Sequence, residues 1–169
     1  ALTVPVLALW VVWPLERATG GLLLACGVMH ILRLVRWTGY RTFADRLVLS
    51  LHISYAFIPA GFILSSLSTF DVVAPSGGIH AWTGGAIGAM TLAVMSRATL
   101  GHTGQRLEAS PATHLIYAAV IIAAVARICA VLEVDHTAAL LIVAGLAWAA
   151  AFLGFAAAYS VAFWSPRRF

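Results

Sequence analysis

Residues 80–104 read "HAWTGGAIGAMTLAVMSRATLGHTG", an apolar run of small residues with a histidine at its start and another near its end. The reading of this stretch decides the fold. His80 and His102 are 22 residues apart, about 33 Å along a helix that rises roughly 1.5 Å per residue. That distance matches the roughly 30 Å hydrocarbon core of a bilayer. The stretch is therefore expected to cross the membrane once, with the two imidazoles near opposite faces. Two groups so placed cannot ligate one metal ion within a single subunit.

The rest of the chain repeats the pattern. Apolar runs are expected to span near residues 1–13, 18–35, 47–66, 79–99, 112–132 and 137–163. Hydrophobic residues make up 62% of the chain and charged residues 9%, too few charges to build a water-facing surface. No alternating strand pattern points to a β-barrel. In lipid every backbone group must find its partner inside its own segment, which leaves helices. The predicted fold is an all-α, polytopic transmembrane helix bundle of about six spans, forming one domain over residues 1–169. Ala1 to Trp13 is short for a crossing before Pro14 and Glu16, and is read as the tail of a truncated first span. It lacks the charged start and cleavage site of a signal peptide.

The net charge of +4 comes from arginine alone, since the sequence has no lysine. Four arginines fall in 33–46, "RLVRWTGYRTFADR"; Arg97 and Arg106 follow the fourth span, and Arg167 and Arg168 lie in the tail. The intervening loops carry Glu16 and Arg17, Asp71, and then Glu133, Asp135 and His136. Arginine enrichment marks cytoplasmic loops, so the first set and the C-terminus are expected in the cytoplasm. The basic balance thus reports membrane orientation and gives no ground for nucleic-acid binding. Cys26 and Cys129 both lie inside apolar runs as small packing residues, with no disulfide framework indicated. Small residues recur at spacing four, as in Gly21 and Ala25, Gly84 and Gly88, Gly85 and Ala89, and Gly154 and Ala158. Such rows allow close backbone approach in lipid.

Depth counting sorts the histidines. His30 lies one turn inside Arg33 and Arg36, and His52 lies six residues inside Arg46 on the next span. The two are expected at similar depth, able to face each other either as metal ligands or as hydrogen-bonded packing residues. His102 and His114 flank the loop between the fourth and fifth spans, while His80 and His136 begin spans on the outer side. Cys26, Met29 and His30 share a helix face at offsets of three and four. A thiol, a thioether and an imidazole on one stripe suit Cu(I), and equally suit ordinary packing. Tyr55 follows His52 by three residues, positioned to bond a neighbouring group, and Pro59 is expected to bend the span. Arg127, two-thirds along the fifth span, is read as snorkelling, pairing with Glu133, or meeting an anionic group. P-loop, G-x-S-x-G and H-E-x-x-H motifs are absent, so hydrolytic and phosphoryl-transfer machinery are not visible.

The stretch from His80 to Gly104, with its "MTLAVMSR" run and its "LGHTG" end, closely resembles the signature of the NnrS family. That resemblance implies a polytopic bacterial inner-membrane protein of the nitric oxide response, containing haem (of b type) and copper. It also implies nitric oxide as a ligand, and a longer protein of which this chain is the C-terminal part, completed by further N-terminal spans or other membrane subunits. The motif itself carries over to His80, Arg97 and His102. Under this reading His30 and His52, placed by the depth argument alone, are the axial-ligand candidates for haem, with Arg33, Arg36 or Arg46 near its propionates, and Arg97 is a cofactor-binding candidate from the motif. Copper would fall to His80 or His102, or to the Cys26, Met29 and His30 stripe. Two other classes compete: a transporter or permease, and a cofactor-free structural subunit of a respiratory complex. Whether the chain is an enzyme is left open by the sequence. The charge pattern generates the first prediction: a cysteine placed at Ser165 should react with impermeant reagents only from the cytoplasmic side. Labelling of intact cells from outside would invert the topology.

Overall fold

The computed structural model describes residues 2–133 and 135–164, so Ser165, Arg167 and Arg168 of the tail lie outside the described residues. Six helices follow the six apolar runs. They are α1 (Thr3–Val12), α2 (Arg17–Arg36), α3 (Arg46–Ser68), a composite α4, α5 (Pro111–Leu132) and α6 (Thr137–Trp164). Helix α4 runs without a break through Ser76–His80, a π-helical segment Ala81–Ala89, and Met90–His102. Among the described residues there is no strand. Helices α2, α3, α5 and α6 are each long and apolar enough to cross a membrane, while α1 has only 10 residues. The molecule is a multi-pass membrane protein.

Its surface agrees. Leu24, Val28, Leu32 and Val35 of α2 and Ile142, Leu146 and Leu153 of α6 all face outward. In water such a continuous apolar surface would drive aggregation, whereas against acyl chains it is ordinary contact. Local chemistry sets the helix ends. Asp45 caps α3 by accepting from the backbone N–H groups of Leu47 and Val48, both at 3.1 Å. Ser110 caps α5 by accepting from Thr113 N–H at 3.2 Å, with Pro111 at the first helical position, where its missing N–H leaves no bond unmade.

Helix α4 is the hub, packing against α3, α5 and α6. One core cluster gathers Leu47, Leu92, Ala93, Tyr117, Val120, Ala151 and Tyr159 from α3, α4, α5 and α6. A second joins Val6, Leu23, Cys26 and Phe62 from α1, α2 and α3, covered by Trp10 and Trp82. Glycine makes the α3–α4 contact possible. A Cβ on Gly78 would run into Ser65 Oγ and lie 2.8 Å from the Gly61 carbonyl; one on Gly61 would enter the Trp82 indole, and one on Gly85 the Phe57 ring. Between α2 and α3, Gly20 abuts Thr69 and Gly27 abuts Ile63. The row expected at Gly21 and Ala25 is not the packing row of α2: both face outward, and nothing lies within 4 Å of a Cβ on Gly21. Helical spacing gives rows on several faces, and only the tertiary partner selects one. Pro59 sits buried inside α3 without ending it.

Replacing Gly78 by alanine should therefore destabilise the bundle by about 1–3 kcal/mol through overpacking against backbone. Gly21→Ala should instead stabilise it by about 0.5–1 kcal/mol through helix propensity. Thermal unfolding in detergent followed by circular dichroism reads both; equal shifts in the two variants would refute the close-approach account.

Candidate functional site

The arginines gather at one end of the bundle: Arg33 and Arg36 close α2, Arg46 opens α3, and Arg97 lies in the last turns of α4. From this end a continuous chain of rings from four helices runs inward through the bundle. Trp10 of α1 meets Trp82 of α4 edge-on at 5.4 Å, and Trp82 meets Phe62 of α3 at 5.0 Å. Phe62 stacks on the His30 imidazole at 5.3 Å with the planes 13° apart. His30 then touches Tyr55, Tyr55 touches Trp37 at 4.7 Å, and Trp37 meets His52 edge-on at 6.2 Å.

Both ring nitrogens of His30 are engaged, Nδ1 with the Tyr55 hydroxyl at 2.7 Å and Nε2 with Thr3 Oγ1 at 3.2 Å. Three helices thereby fix one imidazole. On His52, Nδ1–H donates to the Val48 carbonyl of its own helix at 3.0 Å. A carbonyl only accepts, so a proton must sit on Nδ1, and in the neutral ring the lone pair is then on Nε2. The loop places Gly39 against this ring, where a Cβ would lie 2.8 Å from Cδ2. The two histidines do not face each other at one depth: His30 meets Phe62 and Tyr55, while His52 lies against Trp37 and Gly39 at the loop, and the two are joined through Tyr55 and Trp37. Tyr55 bonds His30 across the helix interface, not a neighbour of His52.

The other predicted ligands are dispersed. Cys26 is 3% exposed in the core among Leu23 and Phe62, whereas Met29 is 45% exposed, so the stripe of thiol, thioether and imidazole does not converge. Arg33 lies over the Trp37 ring at 5.5 Å, and Arg36 is exposed. Arg97 reaches Asp45 at 3.8 Å, tying the end of α4 to the residue that caps α3. His102 and His114 are exposed at helix ends, and His136 approaches Glu133 at 3.9 Å. His80, at the other end of α4, lines a separate cleft with Arg127. Among the described residues no three His, Cys, Asp or Glu side chains are grouped to hold a metal ion. Sequence reasoning missed Trp37, Phe62 and Trp82, whose role shows only once α1 to α4 are packed together.

Fold and site together define a polytopic helical membrane protein with an oriented histidine pair in an aromatic wall beneath an arginine-rich end. The chain matches the NnrS protein family over residues 1–167 and belongs to it, which associates it with the nitric oxide response. No protein of curated function and no solved structure matches it.

The His30–Tyr55 bond gives a prediction. Tyr55→Phe leaves the half-buried His30 Nδ1 without its partner and should cost about 1–3 kcal/mol of stability. Arg97→Ala, which breaks a half-exposed ion pair, should cost about 0–1 kcal/mol. Detergent unfolding curves compare them; a silent Tyr55→Phe variant would show that the hydroxyl does not hold the imidazole.

Proposed function

We propose that this chain is a haem-binding inner-membrane protein of bacteria that takes part in the nitric oxide response through the His52 and His30 region. The observation that carries the reading is the tautomer of His52. Metal-ligating histidines commonly donate their other N–H to a backbone carbonyl, which orients the ring and raises its basicity. His52 has that arrangement, with Nδ1–H on the Val48 carbonyl. His30 is held comparably by Tyr55, with Thr3 on its other nitrogen. Gly39 packs its backbone closely on the His52 ring, where a Cβ would lie 2.8 Å from Cδ2, and so helps to fix the ring's orientation.

The chemistry of these residues fits haem. Each imidazole offers Nε2, at His30 after release of Thr3. Arg36 and Arg46 lie at the same end for carboxylates, since a guanidinium binds them in a forked geometry. Trp37, Phe62 and Tyr55 supply an apolar wall that keeps water from the imidazoles. When bound, the group supplies an iron centre with affinity for nitric oxide. The protein's own part is to fix the ligand rings and exclude water. Copper has no assembled donor set to rest on among the described residues, since Cys26, Met29 and His30 diverge and His80 and His102 sit at opposite ends of α4. The arginine-rich end is assigned to the cytoplasm by the charge rule.

The test is an absorption spectrum with a pyridine haemochrome assay on the purified chain in detergent. A Soret band is expected, abolished or strongly shifted by His52→Ala and intact in His136→Ala. A colourless wild-type protein would remove the haem reading, and an unchanged spectrum in the His52 variant would remove this ligand from it.

A further inference from the structure

The second histidine region has a different character. Between the π-helical part of α4, α5 and α6 lies a cleft of about 390 Å³. Its lining is mostly apolar and small, with Ala124, Ala144, Gly145 and Trp148 along it, and it carries two basic side chains, His80 and Arg127, beside the hydroxyl of Thr83. Trp148 seats its ring against Gly88, where a Cβ would collide with it, and so closes one end of the groove. Nothing lies within 4 Å of a Cβ on Gly145, so the groove stays open along α6.

Depth is the first clue to the occupant. Arg127 lies five residues before Leu132, the last residue of α5, about 7.5 Å inside its end at 1.5 Å per residue. His80 lies four residues into α4, which begins at Ser76, about 6 Å inside at the same rise. Both sit at the shallow level where headgroups meet acyl chains.

Charge is the second clue. The ion pairs among the described residues are Arg97 with Asp45, Arg106 with Glu108, and His136 with Glu133, so of the alternatives open to Arg127 the pairing with Glu133 is not formed. A guanidinium at this depth without a carboxylate is costly unless an anion or water meets it. A phospholipid phosphate at this level can be that anion, since a guanidinium binds phosphate in a forked geometry.

We infer that this cleft is a phospholipid site. The phosphate is held by Arg127 with His80 as a second donor, and an acyl chain lies along Ala144 and Gly145 against Trp148. The inference is independent of the haem reading, because it concerns the opposite end of α4 and none of the same side chains.

The experiment is native mass spectrometry of the delipidated full chain in detergent with added phosphatidylglycerol. One tightly bound lipid per chain is expected, at least tenfold weaker in Arg127→Gln, several-fold weaker in His80→Gln, and unchanged in Arg106→Gln. Arg127→Lys, which keeps the charge and guards against a folding defect, should retain most of the binding. Equal affinity in wild type and Arg127→Gln overturns the proposal. So does equal binding of diacylglycerol, which would mean an apolar groove alone. Displacement of the lipid by glycerol phosphate at similar concentration also overturns it, in favour of a soluble anion.

Discussion

Everything near the histidine pair depends on how closely α3 and α4 approach. Apolar surfaces gain little from meeting each other in lipid, because acyl chains are as apolar as leucine; packing and interhelical hydrogen bonds must hold the bundle. The α3–α4 contact uses both. Gly61 and Gly78 remove the side chains that would separate the backbones, and the Trp82 indole fills the space over Gly61 while its Nε1–H donates to the Ile58 carbonyl at 3.1 Å. Trp82 then supports Phe62 on one side and Trp10 on the other, and Phe62 stacks on His30. The orientation of an imidazole on α2 thus traces back to a missing side chain on α3.

Polar satisfaction explains why so few groups are left for function. The serines of α3 look polar in sequence, yet Ser50, Ser54 and Ser68 donate to carbonyls of their own helix. Ser66 reaches across to the Gly20 carbonyl at 2.8 Å and pins α2 to α3 where the small Gly20 permits it. In hydrocarbon each such bond replaces one that water would have made. These serines are therefore compact packing residues whose protons are already committed, whereas the hydroxyls of Ser65 and Tyr117 stay buried without a partner.

The helices were legible because hydrocarbon thickness sets their length and arginines mark their ends; Asp45 and the Ser110–Pro111 pair show their capping roles in the sequence directly. The π-helical turn over Ala81–Ala89 was not legible, since glycine and alanine accept either hydrogen-bond register and the choice is made by Trp82 and Gly85 fitting against α3. The packing face of α2 was misplaced by one residue for a similar reason. Depth counting put His30 and His52 at one level, yet His52 lies level with Trp37 and His30 with Tyr55 and Phe62, because counting residues from the arginines carries neither helix offset nor azimuth. Tyr55 and Trp37, which come between them in the chain of contacts, are set by the angular position of α3 relative to α2. Arg127 and His80 were both singled out from sequence, but their meeting in one cleft became visible only when α4 packed on α5.

The length of α4 has one more consequence. Because His80 and His102 belong to one unbroken helical run, the two ends of the bundle cannot exchange ligands by any side-chain motion, and a conformational link between them must pass through the helix itself. The π-helical segment is the natural place for that link. Its i→i+5 bonds are less tightly determined than those of an α-helix, and such segments recur at functional sites. Here the segment carries Trp82, which buttresses the His30 wall, and also Thr83 and Gly84, which line the Arg127 cleft. The two regions therefore share one helical segment, and the packing of Trp82 on Gly61 and of Gly84 in the cleft are set by the same hydrogen-bond register.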